Sequence, residues 1–248
     1  MRVIMEKISF QNKRGKKLVG ILHLPKEKTN LAIIISHGFG ANKDSPPLIR
    51  LAETLSKDRF AVLRFDFGGC GESEDSEITL KNQADDIKSA IDYLRNNGYM
   101  RIGLLGESVG GLNSILAYDE EIKVLVLWSP ETKARTSFRE DWKQQLNERG
   151  FVIYEKDGKE YKFPREYFKE RQSMKQEEIL TKIKSPVLII HGQKDHLVPL
   201  EHSIEAMQYL SEESKLAIVK DGDHELDDKM DEVISLSVEW FEKYMTPE

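Results

Sequence analysis

The amino-acid sequence predicts an α/β fold, built on a mostly parallel sheet with helices on both faces. Short apolar runs alternate along the chain with amphipathic segments of helical period, as in repeated strand–helix–strand units. The central apolar runs are continuous, which is typical of strands buried on both faces. The chain has 248 residues, 39% of them hydrophobic, enough for a substantial core.

Eight strands are expected in this sheet. The first two flank a turn at residues 12–15 and form an antiparallel hairpin, with arms at 3–10 and 17–24. The other six are the apolar runs at 31–36, 60–65, 102–105, 122–128, 186–191 and 215–219. The spacing of apolar residues predicts helices over 47–57, 80–97, 112–118 and about 226–244.

Residues 131–184 interrupt this alternation. A charged, helix-like stretch at 136–149 is followed by two extended aromatic arms around Asp157-Gly158, which predict a hairpin. Insertions of this length in a compact domain are often functional lids. We therefore expect an α/β core formed by 1–130 and 185–248, with 131–184 as an inserted lid or cap. A surface excursion without a role in binding is the alternative.

Composition limits the partners and the compartment. A net charge of -6 gives no sign of a nucleic-acid partner. The single cysteine, Cys70, excludes an internal disulfide and favours a reducing compartment. The first residues lack the apolar core of a signal peptide, and no run approaches the ~18 apolar residues of a membrane span. We expect a cytoplasmic monomer or homodimer that binds neither membranes nor nucleic acid.

The pentapeptide Gly106-Glu107-Ser108-Val109-Gly110 lies between a predicted strand and a predicted helix. This is the context that the nucleophile-elbow motif requires. The two glycines keep side chains away from the sharp turn, which projects the serine oxygen clear of the sheet. The following helix N-terminus favours a developing anion. Because short motifs also occur by chance, an ordinary strand–helix turn is the alternative.

A serine nucleophile needs a histidine base, and the base needs an acid that holds its tautomer. Enzymes of this architecture place them in the order Ser, acid, His. His224 directly follows the last predicted strand, where open α/β sheets bind ligands, and Asp195 follows the strand before it. Glu131 is the alternative acid. The other downstream histidines are expected to be packed or solvated: His191, His196 and His202.

Two backbone N–H groups are expected to stabilise the oxyanion of the reaction. One belongs to Val109, the residue after the nucleophile, and the other to Phe39 in His37-Gly38-Phe39-Gly40. An ordinary strand-exit turn is the alternative for this second segment.

The glycine-rich run at 68–71 lacks the spacing of a phosphate-binding loop and is interpreted as a tight turn. Within it, Cys70 has no evident activating context and is interpreted as a packing residue. No His, Cys, Asp or Glu spacing indicates a metal site, and no cofactor is expected.

These motifs together resemble the α/β-hydrolases of the serine esterase type over nearly the whole chain. The segments that carry the resemblance are 37–40, 64–68 with Gly71, 106–111, 192–195 with Val198-Pro199, and 222–224. Within this superfamily the chain looks most like the cinnamoyl (feruloyl) esterase group, whose members carry a lid between the sixth and seventh strands. The resemblance implies an α/β-hydrolase fold with a Ser108–Asp195–His224 triad and an oxyanion hole at Phe39 and Val109.

The sequence departs from that group beside the nucleophile. The group usually has His before the serine and Gln after it, where this chain has Glu107 and Val109. The departure leaves the subgroup and the substrate open, as well as the role of Glu107.

The predicted function is that of a serine carboxylesterase, acting on small-molecule esters through an acyl-enzyme on Ser108, with hydroxycinnamoyl esters as candidates. The lid aromatics are expected either to line the substrate pocket or to form the lid's own core: Trp142, Phe151, Tyr154 and Tyr161. A peptidase or amidase, with Glu140 or Asp141 binding a substrate amine, is one alternative. An acyltransferase and a non-catalytic ligand-binding protein are the others.

Overall fold

The structure, a computed structural model, describes residues 4–135, 137–156 and 158–245. The strands are β1 (Ile4–Gln11), β2 (Lys17–Leu24), β3 (Leu31–Ser36), β4 (Ala61–Phe65), β5 (Arg101–Glu107), β6 (Ile122–Trp128), β7 (Phe151–Lys156), β8 (Lys159–Pro164), β9 (Val187–Gly192) and β10 (Lys215–Val219). The helices are α1 (Pro46–Asp58), α2 (Leu80–Asn96), α3 (Val109–Ala117), α4 (Glu140–Arg149), α5 (Arg165–Ser173), α6 (Gln176–Leu180), α7 (Leu200–Ala206) and α8 (Met230–Met245).

Eight of these strands form one sheet in the order β1-β2-β4-β3-β5-β6-β9-β10. β2 is antiparallel to both of its neighbours, whereas the strands from β4 to β10 pair in parallel. All residues of β3 and β4 are buried, which explains why their sequences show no polar alternation. The predicted mostly parallel, eight-stranded sheet is confirmed.

Helices cover both faces of the sheet because successive side chains of a strand point to opposite sides. Ile34 of β3 belongs to one buried core, which α2 and α3 complete with residues such as Ile87 and Leu112. Its neighbours Ile33 and Ile35 belong to a second core, which α1 and α8 complete. The two cores fix the sheet between two helical layers, so that the loops at the carboxyl ends of the strands are held in place.

The segment from 131 to 184 contains α4, β7, β8, α5 and α6. Among the described residues, β7 and β8 pair only with each other, as the hairpin prediction requires. Thr136, where the charged stretch was expected to begin, and Asp157 of the predicted turn lie outside the described residues, as does Val3 of the first arm. The role of this segment as a lid stays a prediction.

Short elements account for most differences between the predicted and the observed secondary structure. Helices α5, α6 and α7 were not predicted, and the closing helix begins at Met230 after a 3₁₀ turn over Asp227–Lys229. The glycine-rich run at 68–71 is a turn that buries Cys70, and burial raises the pKa of its thiol. Within the described ranges, no helix combines the length and the apolar character needed to cross a bilayer.

Candidate active site

The turn between β5 and α3 holds Ser108 in a strained backbone conformation, with φ 51° and ψ -117°. A Cβ on Gly106 would lie 2.3 Å from the carbonyl oxygen of Gly110. A Cβ on Gly110 would lie 2.4 Å from the carbonyl oxygen of Ser36. Both positions therefore exclude any side chain, and the tight turn raises the serine above the edge of the sheet.

Three side chains predicted to act together are brought into contact. Nε2 of His224 lies 3.0 Å from the Ser108 hydroxyl, and Nδ1 of His224 lies 2.7 Å from Oδ2 of Asp195. The backbone N–H groups of Leu197 and Val198 each donate to Oδ1 of Asp195 at 2.8 Å. This carboxylate is thereby fixed in the loop after β9, facing the histidine in the loop after β10.

The alternative acid, Glu131, is engaged elsewhere. Its buried carboxylate accepts a hydrogen bond from the Arg171 guanidinium and lies 3.7 Å from Arg135. The acid that contacts His224 is thus Asp195.

The charges around the histidine favour its protonated form. Burial alone would lower the pKa of His224, but the hydrogen bond and charge of Asp195, with the charges of Glu225 and Glu107, outweigh burial and raise it. Burial opposes ionisation of Asp195, yet hydrogen bonds from His191 and His224 hold the pKa of its carboxyl well below the usual range. The pair can therefore accept a proton on His224 while Asp195 stays ionised.

His191 has a contact that the sequence did not predict. It is fully buried, as expected of a packed residue, but its Nε2 lies 3.1 Å from Oδ2 of Asp195 and 3.0 Å from the carbonyl oxygen of Val198. Its Nδ1 lies 2.7 Å from the Ser203 hydroxyl. The Asp195 carboxylate thus contacts two histidines, His191 and His224.

The two predicted oxyanion donors belong to the start of α3 and to the loop after β3. Val109 is the first residue of α3, so its N–H has no acceptor within the helix. Phe39 lies in the loop after β3, and its ring stacks on Phe163 with a centroid distance of 4.1 Å. His37 fixes the start of this loop, since its Nδ1 donates to the carbonyl oxygen of Gly38 at 2.9 Å. The loop is thus held by ring packing and by a hydrogen bond.

A cavity of about 240 Å³ lies over Ser108, between the elbow and the inserted segment. Trp142 and Tyr154 line it, and both rings also pack against Phe39. The prediction for Tyr161 needs correction: this side chain is 3% exposed, lies in the core and does not line the cavity. Along β8 it alternates with exposed residues, and the period of a strand turns it inward.

Glu107 lines the same cavity on the side of the core. Burial, reinforced by the charge of Glu225, raises the pKa of its carboxyl to about 7, although His224 and Lys156 oppose the shift. The carboxyl next to Ser108 in the chain thus has a pKa close to neutral pH.

Other lining residues were not predicted from the sequence, and four of them are cationic: Arg135, Arg139, Lys156 and Arg171. Glu140 and Asp141, the predicted contacts for a substrate amine, do not line the cavity and pair with Lys143 and Arg139. In the part of the chain that the structure describes, no three His, Cys, Asp or Glu side chains are grouped so as to hold a metal ion.

An elbow serine, a histidine after the last strand and an acid after the preceding strand, on this mostly parallel sheet, define the chain as an α/β-hydrolase. The sequence model of the prolyl oligopeptidase family matches residues 76–248, more than half of the chain, and the chain belongs to that family. The protein is accordingly a hydrolase of the α/β-hydrolase superfamily.

Comparisons with individual proteins agree with this assignment. A ferulic acid complex of Est1E from Butyrivibrio proteoclasticus superimposes with a TM-score of 0.82 at 26% identity, over 96% of this chain and 98% of that one. The serine hydrolase BPHL of Mus musculus is 26% identical over 76% of this chain and 70% of its own. The uncharacterized protein YfhR of Escherichia coli K12 is 26% identical over 88% of this chain and 73% of its own.

Proposed function

We propose that the protein is a serine carboxylesterase that hydrolyses small esters through an acyl-enzyme on Ser108. One observation carries the proposal: His224 contacts the Ser108 hydroxyl at 3.0 Å with one ring nitrogen and the Asp195 carboxylate at 2.7 Å with the other. A hydroxyl, a base and an orienting acid in this geometry are the requirements for nucleophilic attack on an acyl carbon.

The first half of the reaction forms the acyl-enzyme. Nε2 of His224 removes the Ser108 proton as the hydroxyl oxygen attacks the ester carbonyl. The N–H groups of Phe39 and Val109 donate to the oxyanion, which develops close to the N-terminus of α3. His224 then protonates the leaving alcohol, and the carbon–oxygen bond to that alcohol breaks.

The second half releases the acid. His224 takes a proton from a water molecule, whose oxygen attacks the acyl carbon of the ester on Ser108. The tetrahedral intermediate collapses as His224 returns the proton to the serine oxygen. Asp195 stays ionised throughout, because its hydrogen bonds hold the pKa of its carboxyl far below neutral pH. It stabilises the imidazolium formed in each half.

Among small esters, we propose hydroxycinnamoyl esters as the substrates. Two observations support this proposal: Trp142 and Tyr154 present aromatic surface to the cavity, and the similar Est1E has been captured with ferulic acid. We expect Trp142→Ala to reduce kcat/KM for methyl ferulate about tenfold more than kcat/KM for 4-nitrophenyl acetate, since stacking on an aromatic ring contributes about 0.5–1.5 kcal/mol. An equal loss for both substrates would refute the aromatic acyl pocket.

Cleavage of peptide bonds is the second candidate, because the chain belongs to a family named for a peptidase. An aminoacyl 4-nitroanilide separates the two activities: hydrolysis at a kcat/KM comparable to that of an ester would favour the peptidase. An acyltransferase would instead pass the acyl group to an added alcohol or amine, which analysis of the products reveals.

The decisive experiment compares hydrolysis of 4-nitrophenyl butyrate by the wild type, Ser108→Ala and Ser235→Ala, purified in parallel. Ser235 lies on the exposed side of α8 and serves as the matched control. We expect Ser108→Ala to lose at least about 10³-fold in kcat, while Ser235→Ala keeps wild-type turnover. Full turnover by Ser108→Ala would refute the serine mechanism.

A further inference from the structure

The wall of the cavity contributed by the inserted segment is strongly cationic, although the chain as a whole carries a net charge of -6. The four cationic residues lie at positions 135, 139, 156 and 171, all within the segment 131–184. Several cations around one small cavity repel one another unless anions compensate them. The partners of each cation therefore decide what the cavity can bind.

Two of the four are neutralised by the protein. Arg171 is 4% exposed and donates to the buried carboxylate of Glu131. Arg139 forms two hydrogen bonds of 3.0 Å with Asp141 and lies over the Trp142 ring at 5.6 Å. These two arginines line the cavity, but carboxylates of the protein compensate their charges.

The other two leave the wall positive. Arg135 lies 3.7 Å from Glu131, so two guanidinium groups share a single carboxylate. Lys156 is half-buried at the end of β7. Among the described residues it forms no direct ion pair, although its charge acts on Glu107 and opposes the rise of that carboxyl's pKa. The fork of an arginine and the point charge of a lysine suit a carboxylate well.

The wall beside His224 is acidic, because Glu107 and Glu225 line the cavity there and their charges raise the pKa of His224. A negatively charged group is repelled from this wall and attracted to the cationic one. The cavity can therefore orient a substrate whose ester group faces the serine and whose anionic group points away from it.

We propose that the substrate is an ester that also carries a carboxylate, bound by Lys156 and Arg135 while its ester carbonyl faces Ser108. This inference rests on the proposed esterase function and adds the chemical class of the substrate. The carboxylate belongs either to the acyl half or to the alcohol half of the ester, and the substrates used in the test distinguish the two.

The test uses two pairs of esters whose members differ only by methylation of a carboxylate. Mono-4-nitrophenyl adipate and its methyl ester place the charge in the acyl half; 4-acetoxybenzoate and its methyl ester place it in the alcohol half. In at least one pair we expect the anionic member to have a kcat/KM about tenfold higher, the effect of one charge-assisted hydrogen bond. The difference should lie mainly in KM.

Lys156→Met and Arg135→Met should each reduce this ratio of anionic to neutral substrate about tenfold. Lys159→Met is the matched control, since Lys159 lies opposite Lys156 in the hairpin but does not line the cavity. It should leave the ratio unchanged. A ratio near one in both pairs, or a preference that survives both Lys156→Met and Arg135→Met, overturns the proposal.

A binding measurement separates this inference from the proposed function. Monomethyl adipate is titrated calorimetrically into Ser108→Ala and into the same variant combined with Lys156→Met, and the second protein should bind about tenfold more weakly. If none of the esters is hydrolysed but this difference in affinity is found, the esterase proposal fails and the anion site stands. Equal affinity in the two proteins overturns the anion site.

Discussion

Replacing His191 by leucine should loosen the contacts that hold Asp195 beside His224. The change alters no residue that lines the cavity. His191 is fully buried, and its Nε2 lies 3.1 Å from Oδ2 of Asp195, the oxygen that also contacts His224. Leucine fills a similar volume but donates no hydrogen bond. The variant therefore isolates the polar contact of His191 from its packing.

The contacts set the size of the effect on stability. A hydrogen bond to a charged group contributes about 1.5–3 kcal/mol, and each buried polar group left without a partner costs about 1–3 kcal/mol. Leucine removes the bond to Asp195 and also the partners of the Ser203 hydroxyl, at 2.7 Å, and the Val198 carbonyl, at 3.0 Å. Asp195 and Val198 share the single Nε2 proton, so the loss amounts to one hydrogen bond to a charged group and one unpaired hydroxyl. We expect His191→Leu to lower the free energy of unfolding by about 2.5–6 kcal/mol, measured by urea denaturation at pH 7.

The free energy of unfolding should also depend on pH, because the contact with His191 involves the ionised carboxyl of Asp195. Asp195 has a lowered pKa in the folded state, so its stabilising contribution is present above the unfolded value of about 3.9 and is lost as pH falls through the folded value. Without the hydrogen bond from His191 the pKa of Asp195 is lowered less. The free energy of unfolding should therefore fall less for the variant than for the wild type between pH 5 and pH 2.

Activity provides a second measurement. A carboxylate held by fewer contacts orients His224 less firmly, and we expect kcat to fall about tenfold with KM unchanged. His191→Gln is the conservative control, because its amide can donate to Asp195 and accept from Ser203. If the leucine and glutamine variants match each other in stability and in kcat, or if both match the wild type, the positioning role of His191 is refuted.

Three further predictions concern the triad and its surroundings. Asp195→Asn should lower kcat by about 10⁴-fold with little change in KM, because the amide selects the wrong tautomer of His224; a loss below tenfold in steady-state kinetics would contradict this. Gly110→Ala should yield little folded protein by circular dichroism, since the new methyl group would lie 2.4 Å from a backbone oxygen; a wild-type urea midpoint would contradict it. In the pH profile of kcat/KM, activity should fall as pH drops through the pKa of His224, which lies above the ordinary 6.5 of histidine. Glu107→Gln removes one of the charges that raise this pKa and should shift the midpoint to lower pH; an unmoved midpoint would show that Glu107 does not act on His224.

The sheet and the candidate triad could be predicted from the sequence because strong local signals mark them. Continuous apolar runs such as residues 31–36 are typical of strands buried on both faces, and the structure buries every residue of β3. Ser108 is marked by its flanking glycines, and His224 by its place after the last strand. The choice between Asp195 and Glu131 needed the tertiary structure, in which Glu131 pairs with arginines while Asp195 contacts His224.

The wall of the cavity could not be predicted, because it depends on how a segment with weak local signals packs over the elbow. α5 and α6 are short and rich in charged residues, so their sequences show no clear apolar period. Tyr161 was placed at the substrate by its aromatic character, whereas the register of β8 turns it into the core. Arg135 and Lys156 lie far apart in the sequence, and only the folded chain brings both to the lining of one cavity.

Covalent labelling shows most directly whether Ser108 is an activated nucleophile. The wild type and Ser108→Ala are incubated with a fluorophosphonate, which reacts with activated serines, and the modified site is located by mass spectrometry of proteolytic peptides. We expect one adduct per chain, on Ser108, together with a parallel loss of esterase activity. Labelling that proceeds unchanged in Ser108→Ala, or full activity after Ser108 has been modified, would contradict it.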